Sequence, residues 1–241
     1  MSEPTIVLVH GAWADASSWN PVTTALLERG HSVLLPPNPL RGLSGDAAYV
    51  GAFLAQHTSG PVVLCGHSYG GAVISGAGLL GGDVRALVYA DAFVPDEGET
   101  VFQLLGGSGS ALDVPDPTTV LDFVVYPGAP EGDVDAYLKP ETVHTAFAQD
   151  LPEPDRGLIL ATQRPITLQA NTSPAGAGAW KSIPSWAVVG TEDRVIPPAL
   201  QRRMAERAGA TITEAPAGHV SMLSATQVVL DAVLAAVASV S

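Results

Sequence analysis

The sequence predicts an α/β protein: a mostly parallel, doubly wound sheet with a small, partly helical lid inserted before its late strands. Three observations point there. Short apolar runs of strand length alternate with helix-like segments over residues 1–95 and again over 182–241, the pattern of a parallel sheet covered on both faces. One of these runs leads straight into Gly66-His67-Ser68-Tyr69-Gly70 and then a helix start. Between the two halves, residues 96–181 hold many of the prolines and few strand-like runs, a stretch too long for a loop. It is read as a lid over the carboxyl edge of the sheet, where folds of this kind bind ligands.

The elements follow in order. Thr5-Ile6-Val7-Leu8-Val9 is a buried strand ending at His10-Gly11. A helix is expected from Ser18 to Glu28, capped by Ser17 or Ser18, with Pro21 in its first turn and Gly30 as its stop. His31 to Leu35 reads as a second strand, broken by Pro36-Pro37, and Ser44 as the cap of a helix running to about His57. The strand Pro61–Cys65 precedes the Gly-Ser turn, a helix continues through Gly71–Ala77, and Val84–Ala90 is the next strand. Gly106-Gly107-Ser108-Gly109-Ser110 reads as a lid hinge. Order returns with the strand Trp186–Gly190, a helix Pro198–Arg207 and a strand Ala210–Glu214. A last helix from about Thr226 to Ala238 keeps Val228, Val229, Ala232, Val233, Ala236 and Val237 at helical spacing.

Bulk composition narrows the function. Hydrophobic residues make up 46% of the chain and mean hydropathy is +0.26, which supports a large core. A net charge of −13 argues against nucleic acid and against anionic membranes, both of which select clustered Lys and Arg. The single cysteine, Cys65, rules out an internal disulfide and reads as a small buried hydrophobe. The first basic residue is Arg29 and no apolar run reaches membrane-span length, so a cytoplasmic protein, monomer or homodimer, is expected. No close histidine pair suggests a metal. Gly76-Ala77-Gly78-Leu79-Leu80-Gly81 matches a dinucleotide fingerprint but closes a helix instead of opening one, so neither metal nor cofactor is expected.

The chemistry centres on Ser68. Strand, G-x-S-x-G, helix is the setting that forces a serine into a strained turn and projects its hydroxyl over a helix N-terminus. Glycines are needed at 66 and 70 because a Cβ would strike the neighbouring strand and helix. A serine hydroxyl needs a base, and His219, in a loop between the final strand and final helix, is the late histidine that would share the same edge. The base needs a carboxylate: Asp193, after the strand ending at Gly190, is chosen, with Glu192 and Asp91 as alternatives. Oxyanion donors are expected from the backbone N–H groups of Tyr69 and, in the loop after the first strand, Ala12. Trp13 is read as a pocket wall, His10 as an orienting or buried histidine, and His67 as facing away from the chemistry. Phe93, Tyr126 and Trp180, with Leu104 and Phe147, are candidates for substrate contact.

The set His10-Gly11-Ala12-Trp13, Gly66-His67-Ser68-Tyr69-Gly70-Gly71, Gly190-Thr191-Glu192-Asp193 and Gly218-His219 resembles the α/β-hydrolase superfamily, in order and spacing, over nearly the whole chain. Among its members it is most similar to small carboxylesterases of the plant methylesterase and hydroxynitrile lyase branch. The resemblance implies a serine triad, no cofactor, and hydrolysis of a small neutral ester, methyl ester or lactone. Hydroxynitrile lyases carry a threonine where this chain has Gly11 and a lysine where it has Val220, so both positions favour ester hydrolysis. Ser68 argues against the aspartate-nucleophile epoxide hydrolases and dehalogenases, while a perhydrolase side activity, as in cofactor-free haloperoxidases, is compatible. The alternative is a non-hydrolytic member of the same fold: a receptor, lyase or biosynthetic enzyme using the same pocket. Residues 91–155 contain 14 Asp or Glu against one Lys. That is the composition of a solvated acidic lid, or of a field that disfavours carboxylate substrates.

Overall fold

In the computed structural model, which describes residues 3–240, the chain opens with β1 (Thr5–Val9) and a 3-10 turn that leads into α1 (Asn20–Glu28). The turn is capped by Asp15, whose carboxylate accepts from the Ser17 N–H at 2.8 Å, and not by Ser17 or Ser18. β2 is only Val33–Leu34, shorter than the expected 31–35, because Pro36 and Pro37 have no N–H to extend a ladder. α2 (Leu43–His57) also departs from expectation. Ser44 lies inside its first turn, and the Asp46 carboxylate instead accepts from the Arg41 and Gly42 N–H groups. Then come β3 (Pro61–His67), α3 (Tyr69–Ala77) and β4 (Asp83–Ala90).

Between β4 and the next core strand lie α4 (Val101–Leu105), β5 (Leu121–Val124), β6 (Asp135–Leu138), α5 (Pro140–Thr142), a π-turn over Val143–Phe147, α6 (Glu153–Thr162), β7 (Ile166–Thr167) and α7 (Leu168–Thr172). The insertion is thus not only partly helical. It holds a three-stranded antiparallel sheet, β5-β6-β7. These strands are four residues or shorter, and β6 begins on a buried Asp135 that pairs with Arg41 of the core. Gly106–Ser110 is not a free hinge: Ser110 Oγ donates to the Val195 carbonyl at 2.7 Å and the Ala111 N–H to that of Arg194 at 2.8 Å.

The chain returns to the core as β8 (Ser185–Gly190), α8 (Pro198–Arg207), β9 (Thr211–Ala215), α9 (Ser221–Ser224) and α10 (Thr226–Val240). All core pairings are parallel, in the order β2-β1-β3-β4-β8-β9. β1 and β3 are apolar at almost every position because helices flank the sheet: α2 packs on α3, and α1 on α10. The strand order reverses between β1 and β3, and a crevice opens at the carboxyl ends of strands at such a switch point. Ala12 follows one of these strands and Ser68 the other. Among the described residues, no helix is long and apolar enough to cross a membrane.

Candidate active site

Ser68 stands at φ 53°, ψ −124°, between the end of β3 and the start of α3. Such a backbone costs about 1–3 kcal/mol and persists only where its surroundings hold it. Here the Ser68 N–H donates to the Ala90 carbonyl at 3.2 Å, and its own carbonyl accepts from the N–H groups of Gly71 and Phe93. A Cβ on Gly66 would lie 2.5 Å from the Gly70 carbonyl oxygen, and one on Gly70 would lie 2.6 Å from that of Val9. The glycines at 66 and 70 are therefore dictated by close approach to helix and strand. Gly11 is dictated in the same way: its Cβ would meet that of Ser68 at 2.7 Å.

His219 Nε2 lies 2.9 Å from Ser68 Oγ, and Nδ1 lies 2.8 Å from Asp193 Oδ2. Asp193 accepts two further bonds on Oδ1, from the Val195 and Ile196 N–H groups at 2.7 and 2.9 Å, and one on Oδ2 from Gln201 Nε2 at 2.7 Å. With Nδ1–H donating to a carboxylate, Nε2 is left as the acceptor facing the hydroxyl. Burial pushes the imidazole down to about 3, so the neutral, accepting form is the one present at ordinary pH. Glu192 is exposed and Asp91 bonds elsewhere, so the carboxylate on His219 is that of Asp193. The backbone N–H groups of Ala12 and Tyr69 have no acceptor among the described residues. That of Tyr69 is the first donor of α3, where the helix dipole favours negative charge.

Around this group, His10 Nε2 accepts from the Asn38 N–H at 3.0 Å while its Nδ1 donates to the Gly11 carbonyl, holding the loop after β1. His67 does not face away entirely: its Nε2 donates to the His219 carbonyl at 2.8 Å. Asp91, fully buried at φ 46°, accepts the Ser221 N–H on Oδ2 at 3.0 Å and leaves Oδ1 without a partner. Burial and the charge of Asp193 push Asp91 well above the usual carboxylate range. Burial and the nearby charge of Asp150 push Asp193 up as well, opposed by the bonds from the Ile196 and Val195 N–H groups and from Gln201. Asp193 accepts from the Val195 and Ile196 N–H groups, Gln201 and His219, while Asp91 accepts only from the Ser221 N–H, so bonding favours the charge on Asp193 over Asp91.

This has a consequence for stability. The unfolded chain ionises Asp91 near 3.8 and the folded chain only well above it, so stability falls as pH rises between those limits. Asp91→Asn, which keeps an acceptor for Ser221 and has no proton to lose, is expected to raise Tm at neutral pH and to give no gain near pH 4. Thermal melts across that range check this; a variant that melts below the wild type at neutral pH contradicts it.

A cavity of about 340 Å³ lies beside Trp13. Its wall is mainly Trp13, Phe102, Leu105, Leu121, Phe123 and Leu168, with Asn171 and Thr118 among the few polar groups. Trp13 is fixed by a bond from Nε1 to the Ala136 carbonyl at 2.9 Å. Of the six residues expected at the pocket, Trp13 alone lines this space; Leu104 and Phe147 are buried in the core. Phe93 is core, beside the Ser68 carbonyl. Tyr126 bonds Asp133 and lies under the Arg41 guanidinium, and Trp180 bonds the Pro95 carbonyl. The wall that sequence reasoning missed had a local signal: Leu121 and Phe123 alternate with Asp122 and Val124, and the alternation sorts less exposed from more exposed.

At the switch point of the parallel sheet, a buried hydroxyl, imidazole and carboxylate thus stand in one hydrogen-bonded line, an arrangement able to raise the nucleophilicity of Ser68. Residues 6–232 match the Alpha/beta hydrolase family. The chain belongs to that family. It is 39% identical over 112 residues to a carbendazim hydrolyzing esterase of Nocardioides sp. (strain SG-4G), a match covering 41% of this chain and 46% of that esterase. The fold is similar to that of polyneuridine aldehyde esterase, with a TM-score of 0.79 at 22% identity over 97% of this chain and 99% of that one. It is also similar to a methylesterase from Arabidopsis, with a TM-score of 0.76 at 18% identity over 98% and 99%.

Proposed function

We propose that this protein hydrolyses neutral carboxylic esters bearing an apolar group, through an acyl-enzyme. The observation that carries the reading is the line from Ser68 Oγ to His219 Nε2 to Asp193, at 2.9 and 2.8 Å, beside two unpaired backbone donors. Ser68 Oγ adds to the ester carbonyl as its proton passes to His219 Nε2. The oxyanion lies against the Ala12 and Tyr69 N–H groups. The imidazolium, steadied by Asp193, gives its proton to the departing alkoxide, leaving an acyl-Ser68 and an alcohol. Water then repeats the sequence on the acyl group, releasing the carboxylic acid and restoring Ser68. The apolar cavity beside Trp13 suits a hydrocarbon or aromatic substituent, and an ester of a larger neutral molecule fits this reading better than one bearing a free acid.

The test is turnover together with labelling. A fluorophosphonate probe is expected to modify Ser68, and p-nitrophenyl acetate to be cleaved at a steady rate. A matched ester carrying a free carboxylate is expected to react more slowly, by a margin that shrinks in high salt. Labelling or a burst without steady turnover would count against the hydrolase and favour a receptor or another reaction. Equal rates and equal salt dependence would dismiss the charge selection alone.

A further inference from the structure

The insertion that walls the cavity also reaches the loop that carries His219. Its π-turn ends at Phe147, whose ring stands edge-on to the His219 imidazole at 5.2 Å between centroids and to Trp13 at 6.0 Å. Three residues on, Asp150 Oδ2 accepts from the Gly218 N–H at 2.7 Å. Beside it, Gln149 Nε2 donates to the Glu192 carbonyl at 2.9 Å, next to Asp193. A Cβ on Gly218 would come within 2.6 Å of both Asp150 Oδ1 and Gln149 Nε2, so glycine there is what lets the two side chains seat.

The backbone from 218 to 221 is consequently held at three points by side chains of three separate segments. Asp150 takes the Gly218 N–H, His67 the His219 carbonyl and Asp91 the Ser221 N–H. His67 and Asp91 follow from the core sheet; Asp150 comes from the insertion. With Ser68 and His219 taken as the reacting pair of the proposed hydrolase, we infer that Asp150 is a positioning residue for His219, aiming its imidazole at Ser68 through the Gly218 N–H.

Two observations separate this from an ordinary loop tie. Asp150 Oδ1 is buried without a donor, a costly unpaired acceptor that a serine bonding the same N–H would not leave. The ionised form also helps the chemistry: its charge favours a protonated His219 against the effect of burial, and the imidazolium is the species that forms as Ser68 attacks. Among the described residues, Asp193 bonds that ring and His67 stands beside it at 4.9 Å between centroids, while Asp91 bonds the Ser221 N–H two residues on.

The experiment compares full-length wild type with Asp150→Ala and Asp150→Asn, counting active sites by fluorophosphonate titration. Asp150→Ala is expected to lower kcat per titrated site by roughly tenfold to a hundredfold, with KM within about twofold, because small misplacements of a reacting group act on the chemical step. Asp150→Asn keeps an acceptor but not the charge and is expected to lose about threefold. In both, the downfield proton resonance of the His219 Nδ1–H···Asp193 bond should move or broaden. A purely structural contact would lower Tm and the number of titratable sites while leaving kcat per site and that resonance unchanged, and this result overturns the assignment. Should Asp150→Ala not fold, the near-isosteric Asp150→Asn decides by the same two readouts. The resonance is read without turnover, so a wild type that cleaves no ester sinks the hydrolase reading and leaves the Asp150 assignment to be judged on the resonance.

Discussion

Replacing Ser68 by alanine is expected to lower kcat for ester hydrolysis by roughly 10³- to 10⁶-fold while leaving the fold in place. The fold survives because the residue is held through its backbone. Its N–H and carbonyl bond Ala90, Gly71 and Phe93, and alanine offers the same groups. The hydroxyl makes one protein bond, to His219 Nε2, so its loss leaves one buried acceptor unpaired, at a cost of about 1–3 kcal/mol. Activity has no comparable fallback. On the proposed mechanism, losing Oγ removes the acyl-enzyme and leaves only water attack assisted by the Ala12 and Tyr69 donors. Steady-state rates on p-nitrophenyl acetate, with circular dichroism to check folding, decide the matter; a folded variant keeping more than about a tenth of the activity removes Ser68 from the mechanism.

Asp193→Asn is expected to lower kcat by roughly 10⁴-fold through the wrong imidazole tautomer. The Oδ1 position already takes two backbone N–H groups, so asparagine places its oxygen there and turns its NH₂ toward Gln201 and His219. Nδ1 must then accept, the ring proton moves to Nε2, and Nε2 loses the lone pair that faces Ser68. Combining this change with Ser68→Ala should cost nothing further in kcat, since both act on one step. Separate, multiplying losses would mean that the two residues do not work together.

The two legible parts of the molecule were those with local causes. β1, β3 and β8 are continuous apolar runs because both sheet faces are covered, and the glycines of the Ser68 turn are imposed by contacts within a few residues or with the adjacent strand. His219 and Asp193 stood out as candidates because each follows a core strand, and the structure brings both to Ser68. The misses share a different origin. Asp15 caps its turn, and Asp46 ties the Arg41 and Gly42 N–H groups before α2, where serines are the expected caps; only the turn geometry chooses between polar residues a few positions apart. Asp135 hides β6 because its partner, Arg41, lies far along the chain. Asp150 carried no signal at all: its meaning lies in Gly218, and nothing local to residue 150 refers to that loop.

The ties between the insertion and the two site loops also limit how this chain can be remade. Ser110 and Ala111 hold the carbonyls of Val195 and Arg194, Arg194 reaches the Thr145 carbonyl, and Gln149 and Asp150 hold Glu192 and Gly218. The same segment supplies Phe102, Leu121 and Phe123 to the cavity. Grafting a foreign insertion to alter substrate range would therefore exchange the walls and the loop supports in one stroke. If the proposed role of these ties holds, changing substrate scope without turnover means altering Phe102, Leu121 and Phe123 while keeping Ser110, Ala111 and residues 145–150 untouched.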